Sequence, residues 1–225
     1  MCSSDLLRIL RFFRFQAIYG DPTLGIDAEG LAAAADNLSG LAGLSRERVG
    51  SEIRKLLSAA DPAPAVAAME HAGVLAKVLP GATARALPVL VHLENGCPTG
   101  WICRLAVLGG GNDLATKLRL TRVEAAQLDL VLSGSASMLP ADALGWKYGA
   151  TQAKEALFAR AAVTGMMLPA RWDEDIARGM AAIFPISAAD LMPKLQGAEL
   201  GQKLRSIEQL WLASGLSLSR EQLLK

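Results

Sequence analysis

Four side chains near the start of the chain stand out by type and spacing. Asp5 is followed by Arg8, Arg11 and Arg14, each three residues after the last. Residues three apart on a helix are surface neighbours. The run Met1 to Gly20, MCSSDLLRILRFFRFQAIYG, read as one helix, therefore sets a carboxylate beside guanidinium groups. An ionised carboxylate only accepts hydrogen bonds and a guanidinium only donates them. Such a pair complements a nucleobase edge that carries an amino donor beside a ring-nitrogen acceptor, as in cytosine and adenine. Guanine and uracil place a carbonyl oxygen where Asp5 would sit; two acceptors face to face repel, and one is left unpaired. The plain alternative is an intrahelical ion pair on a solvated face, worth about 0.3–0.5 kcal/mol.

The elements that must position this stripe are helical. Apolar residues make up 52% of the 225, enough for a substantial core, while aromatics are only 5%. Ala and Leu dominate, and both are strong helix formers. No stretch alternates with a period of two for long enough to predict a strand, so the fold class is all-α with many short helices. The 23 basic and 22 acidic residues leave a formal net charge of +1. Bulk electrostatic attraction to nucleic acid is thereby excluded as the main mode of action, and any contact with RNA must come from a local patch.

Three cysteines, Cys2, Cys97 and Cys103, have no paired spacing and point to a reducing cytosol. With only His71 and His92 beside them, a zinc site is not expected. No apolar run reaches the length of a membrane span, and Asp5 and the arginines spoil the N-terminus as a signal peptide. The expected location is the cytoplasm.

Along the chain, Asp27 can cap a short helix over Ala28 to Asp36. Ser45 is the natural N-cap of the next helix, whose stripe runs through Val49, Glu52, Ile53, Leu56 and Leu57. Asp61-Pro62 opens another, and further helices are expected near 82–94, 99–109 and 113–119. Thr121 with Glu124 forms a capping box, and Ser133 to Pro140, rich in Ser and Gly, reads as a linker. Helices are expected beyond it near 141–148, 150–165, 172–183, 187–192, 199–214 and 219–224. Gly109-Gly110-Gly111 lacks the Lys-Ser/Thr of a phosphate loop and reads as a turn. Asp173-Glu174-Asp175 reads as an acidic helix N-terminus rather than a metal site.

The segment from Asp5 through Arg8, Arg11 and Arg14 to Phe15 resembles the D-x-x-R-x-x-R-x-x-R-F motif of bacterial CCA-adding tRNA nucleotidyltransferases, shared by the related poly(A) polymerases. Further matches are Gly40-Leu41, Leu44-Ser45-Arg46-Glu47-Arg48-Val49, Glu52 and Lys55-Leu56-Leu57, and then Asp61-Pro62, Met69, Gly73-Val74-Leu75 and Leu79-Pro80. A weaker likeness in the tail runs through Asp190-Leu191, Gly197, Gly201, Leu204, Glu208 and Trp211. One departure is Ser4, where the family has Glu. The resemblance implies a helical neck (residues 1–60), body (61–135) and tRNA-facing tail (136–225).

On the same resemblance, Asp5 and Arg8 select the base, and Arg11 helps hold the nucleotide at its triphosphate. Arg14 either binds RNA phosphate or anchors the helix to neighbouring acids. Ser45, Glu47 and Arg48 brace the selecting helix. The family's catalytic head, with its Gly-Gly-x-x-Arg-Asp segment and D-x-D metal pair, would precede residue 1, and neither is recognisable within the chain. The implied function is the nucleotide-selecting and tRNA-binding portion of an enzyme that adds C, C and A to tRNA. Its partners would be tRNA, CTP, ATP and a separate catalytic head. Mg²⁺ would accompany CTP and ATP in the complete enzyme, with no cofactor held by this chain alone and no catalysis by it alone. A strongly basic C-terminal extension, expected of a poly(A) polymerase, is absent. A non-enzymatic tRNA-binding module and a protein-interaction scaffold are the alternatives. Leu6, Ile9, Leu10, Phe12, Phe13 and Phe15 surround the first helix so broadly that it is expected to be buried on most sides. Without the head, some of that surface would be exposed and promote self-association.

Overall fold

The structure, a computed structural model, describes residues 3–21, 24–111, 113–192 and 194–225, and of residues 3–6 and 42 it describes the backbone alone. Cys2 and Pro22, and the side chains of Asp5 and Leu6, therefore lie outside the described residues. Everything regular among them is helical. The helices are α1 (Ser3–Tyr19), α2 (Ala28–Asp36), α3 (Arg46–Leu57), α4 (Ala63–His71), α5 (Val74–Val78), α6 (Leu87–Leu93) and α7 (Trp101–Leu108). They continue as α8 (Leu114–Lys117), α9 (Arg122–Ala136), α10 (Ala141–Thr164), α11 (Trp172–Ala181), α12 (Ala188–Leu191), α13 (Gly197–Ala213) and α14 (Arg220–Leu223). A short 3₁₀ segment, Leu38–Gly43, joins α2 to α3. No described helix is long and apolar enough to cross a membrane.

Local chemistry sets most of these boundaries. Asp27 accepts from the Gly30 N–H at 2.8 Å and starts α2. Ser45 accepts from the Arg48 N–H at 3.3 Å and starts α3. Thr121 and Glu124 close the reciprocal capping box of α9. Two expectations shift. The helix anticipated from residue 82 starts only at Leu87, because Ala82 pairs with Gly109 in an antiparallel bridge and the Thr83 N–H donates to Leu108 at 2.8 Å. The Ser- and Gly-rich stretch read as a linker is helical as far as Ala136. Gly134 is there for contact: a Cβ on it would lie 2.6 Å from the Ala156 methyl. It lets α9 and α10 approach closely, and only Ser137 to Pro140 connects them.

One hydrophobic cluster runs from Leu10 and Phe13 of α1 through Ile53, Met69 and Leu105 to Phe158 of α10. A second gathers Ile186, Ile207, Trp211 and Leu223 at the C-terminal end, where Trp146 meets Trp211 edge-on at 5.3 Å. Between them Leu144, Leu157 and Ile176 tie α10 to α11. That last contact is made by backbones. A Cβ on Gly145 would lie 2.3 Å from the Ile176 carbonyl oxygen, and one on Gly179 1.8 Å from that of Asp142.

A buried guanidinium joins three elements of the first cluster. Arg104 on α7 donates from Nη1 to the carbonyls of Leu57 at 2.7 Å and Ala59 at 2.5 Å, just past the end of α3. Its Nη2 reaches Glu94, at the end of α6, at 2.7 Å. Arg104 and Glu94 are each only 6% exposed, so removing either leaves the other charge buried and unpaired. The adjacent Cys103 thiol is pushed up to about 12 by burial and is inert as a nucleophile near neutral pH.

Two outcomes follow. Arg104→Met should lower unfolding free energy in urea by about 3–5 kcal/mol. At the C-terminal end, Asp190 accepts from the Ser187 N–H and from Arg220 on α14. The Ser187 backbone N–H first, then Arg220, lowers its carboxyl from 3.8 to about 2. A depressed folded-state pKa stabilises above the unfolded value and is lost as pH falls through the folded one. The Asp190–Arg220 contact should hold at pH 4 and be lost as pH approaches 2, read from the Asp190 carboxyl and Arg220 Nε resonances by NMR.

Candidate nucleotide-facing site on the first helix

The stripe of the sequence does not stay on one face. An α-helix advances by about 100° per residue, so each three-residue step falls about 60° short of a full turn and nine residues drift by about 180°. Arg14 therefore points to the side of α1 opposite Asp5, and the structure divides the arginines accordingly.

Arg14 turns inward. Its Nη1 donates to Glu52 Oε1 at 3.1 Å and lies 2.9 Å from Oε2. The side chains are only 11% and 7% exposed, which makes this a buried pair. Glu52 Oε2 has no partner of good hydrogen-bond geometry among the described residues, so the pair rests on charge more than on directional bonding. Lys55 adds a weaker contact at 3.9 Å. The Arg14 guanidinium also covers the Phe15 ring at 4.5 Å, and Phe15 stacks on Tyr19 at 5.8 Å. The Arg14–Glu52 contact joins α1 to α3.

Arg8 faces the other way. With Ile9 and Phe12 it lines a cleft of about 450 Å³ whose far wall is Gly30, Ala33, Ala34 and Asn37 at and beyond α2. That volume lies in the range of small-molecule sites. Gly30 lets the Phe12 ring close against α2, since a Cβ there would lie 2.6 Å from that ring. The Asn37 amide donates to Ala33 at 2.7 Å and finishes the end of α2. Arg11, one turn further along α1, is exposed. The Asp5 backbone lies on the same helix, one turn before Arg8.

The residues expected to brace α1 sit elsewhere. Ser45, Glu47 and Arg48 are all exposed at the start of α3. Ser45 caps that helix, and Glu47 pairs with Arg119 at 3.0 Å. The contact that reaches α1 comes from the same helix one turn on, through Glu52. A signal for it was present: Glu52 occupies a core-facing position in the stripe Val49, Glu52, Ile53, Leu56, and an acid there requires a buried cation. The expectation that α1 is buried on most sides holds for Leu10 and Phe13, whereas Phe15 is 45%, Ile18 44% and Tyr19 75% exposed.

Among the described residues no three His, Cys, Asp or Glu side chains converge, and no metal-dependent step is assigned to them. Of the acids at 173–175, Glu174 pairs with Arg171 and Asp175 with Arg178, at the start of α11. Of the other basic residues, Lys154 donates to the Pro98 carbonyl and Arg160 is buried.

Comparison with known proteins converges on one group. Residues 24–85 match a family described as the probable RNA and SrmB-binding site of polymerase A. The mitochondrial CCA tRNA nucleotidyltransferase 1 of Homo sapiens is 49% identical over 53 residues, 24% of this chain and 12% of that protein. Its Mus musculus counterpart is 48% identical over 54 residues, again 24% and 12%. A CCA-adding enzyme solved with ATP superposes with a TM-score of 0.59 at 16% identity, over 98% of this chain and 59% of that one. The Thermotoga maritima CCA-adding enzyme complexed with tRNA gives 0.56 at 16% identity, over 98% and 60%. The chain thus spans about 60% of the solved enzymes it resembles, and at that identity the likeness is one of fold.

Breaking the anchor has a definite expected cost. Glu52→Ala should destabilise the protein by about 3–5 kcal/mol in urea unfolding, and adding Arg14→Ala should cost less than the sum of the two single changes. Additive costs would mean that the pair does not hold α1.

Proposed function

We propose that this chain, a relative of the CCA-adding tRNA nucleotidyltransferases with their helical fold and a polymerase A RNA-binding segment, selects the incoming nucleotide and binds tRNA during addition of CCA to the tRNA 3′ end. The observation that carries this reading is the placement of Arg8 in the cleft between α1 and α2, on a helix whose rotation is set from behind by Arg14 and Glu52. Asp5 stands one helical turn before Arg8 and completes the donor–acceptor pattern that accepts cytosine or adenine. Arg11, exposed on the same helix, takes the triphosphate. Mg²⁺ accompanies CTP and ATP in the complete enzyme and is held outside the residues described.

The matched segment 24–85 begins at the loop before α2 and takes in α3 to α5, so RNA is assigned to the elements that flank the cleft. Phe15, Ile18 and Tyr19 form an exposed apolar end of α1. A patch of that kind suits a catalytic domain seated against it, which is the protein partner we assign. Cys97 and Cys103 are free thiols, in keeping with the cytosol.

Equilibrium binding of the four nucleoside triphosphates tests the selection. CTP and ATP should bind more tightly than GTP and UTP, and Arg8→Ala should weaken CTP by about 10–100-fold, the worth of a charged hydrogen bond. Equal affinity for all four would refute the reading. A tRNA gel shift should weaken steeply with added salt, and no shift at low salt would remove RNA from the partners.

A further inference from the structure

A second cleft, far along the chain from the first, holds a buried cation that no acid among the described residues contacts. Arg160 on α10 is only 8% exposed. Its Nη1 donates to the carbonyls of Ser137 at 2.7 Å and Leu139 at 2.9 Å, which pins the connection between α9 and α10. Those carbonyls are the only hydrogen-bond partners of its guanidinium among the described residues, and no carboxylate there lies within ion-pair distance. Burial lowers its pKa with no charged partner opposing the shift. The Nε–Nη2 edge of a guanidinium is the edge that takes a carboxylate with two parallel bonds, and here it is unused.

The surroundings define what would use it. The cleft holds about 300 Å³, and Arg160 shares it with Asp142, Asp175 and Arg178. Arg178 is already occupied by both aspartates, at 2.9 Å and 2.6 Å. Two arginines and two aspartates sum to no net charge, so a polyanion such as an RNA backbone gains little there, whereas a single carboxylate on Arg160 is favoured. The mouth is apolar: Met138, Met166 and Met167 line it and are 78%, 53% and 93% exposed. Methionine side chains adapt to differently shaped apolar partners.

We propose that this cleft captures the C-terminal residue of a partner polypeptide, with the α-carboxylate on the Arg160 Nε–Nη2 edge and an apolar terminal side chain among Met138, Met166 and Met167. The size fits one residue and its carboxylate. C-terminal carboxylates are captured elsewhere by groups of fixed donors.

N-acetyl-leucine is the probe, and the ¹³C-methyl resonances of the methionines in the full chain are the readout. Titration should move the Met138, Met166 and Met167 signals saturably, with a midpoint on the order of millimolar for so small a ligand. N-acetyl-leucinamide, which lacks the charge, should bind at least about tenfold more weakly. Arg160→Met should abolish the response. Because Arg160 also holds the 137–139 connection, Met167→Glu provides an independent check: it leaves the guanidinium in place, sets a carboxylate at the mouth, and should weaken N-acetyl-leucine by about tenfold. Equal response to acid and amide, no effect of Met167→Glu, or no movement of these methyls up to about 50 mM probe would each overturn the proposal. So would a response to inorganic phosphate in place of N-acetyl-leucine, which would reassign the cleft to RNA.

Discussion

The roll of α1 about its own axis is set by the Arg14–Glu52 ion pair together with the face that buries Leu10 and Phe13, and the arrangement of the candidate site depends on it. With Arg14 drawn to Glu52, Phe13 and Leu10 go into the core and Arg8 is left facing the cleft shared with α2. The dependence runs further back. Glu52 is only as well placed as α3, and α3 is held at two points. A Cβ on Gly50 would lie 2.0 Å from the Leu118 carbonyl oxygen, so its flank rests directly on the turn after α8. Past its end, the Leu57 and Ala59 carbonyls are gripped by Arg104. The placement of Arg8 at the cleft is thus tied, through α3, to Glu52 and Arg104, neither of which lines it.

The same economy of means recurs across the fold. A chain with 5% aromatic residues has few large side chains with which to fill space between helices. It closes the space by bringing backbones together. Gly134 lets α9 onto Ala156, and Gly145 and Gly179 let α10 and α11 meet at carbonyl distance. Where segments end or turn within these packed regions, polar groups are satisfied by long side chains reaching in: Arg104 after α3, Arg160 at the start of α10, and Glu155, which accepts from the Gly100 N–H at 2.9 Å and from Gln127 at 3.1 Å. Buried carbonyls and amides left without such partners would each cost on the order of 1–3 kcal/mol.

Much of this was legible in the residues. Caps at Asp27, Ser45 and Thr121 and the all-helical class are matters of local chemistry, and the structure places them where the sequence puts them. The linker reading at 133–140 failed for a physical reason: Ser and Gly are common in loops, but Gly134 answers to the neighbouring Ala156, which no local rule can see. The arginine stripe was read correctly as a set of residue types and too simply as one face, since the period of three and the pitch of the helix part company over nine residues. The cleft wall from Gly30 to Asn37 depends on how α2 is folded back onto α1, and pairwise spacing within α1 carries no trace of that.

Residue 149 divides α10. The span called α10 is two helices that meet at a kink, as the expected break between 148 and 150 has it: Gly149 has φ of 76° and ψ of 175°, a backbone state that a side chain would oppose. Upstream, Gly145 is clamped to Ile176. Downstream, Phe158 is embedded in the main core. The rod therefore consists of two spars, one tied to α11 and the other to the main core, and the turn between them is set at a residue that carries no side chain.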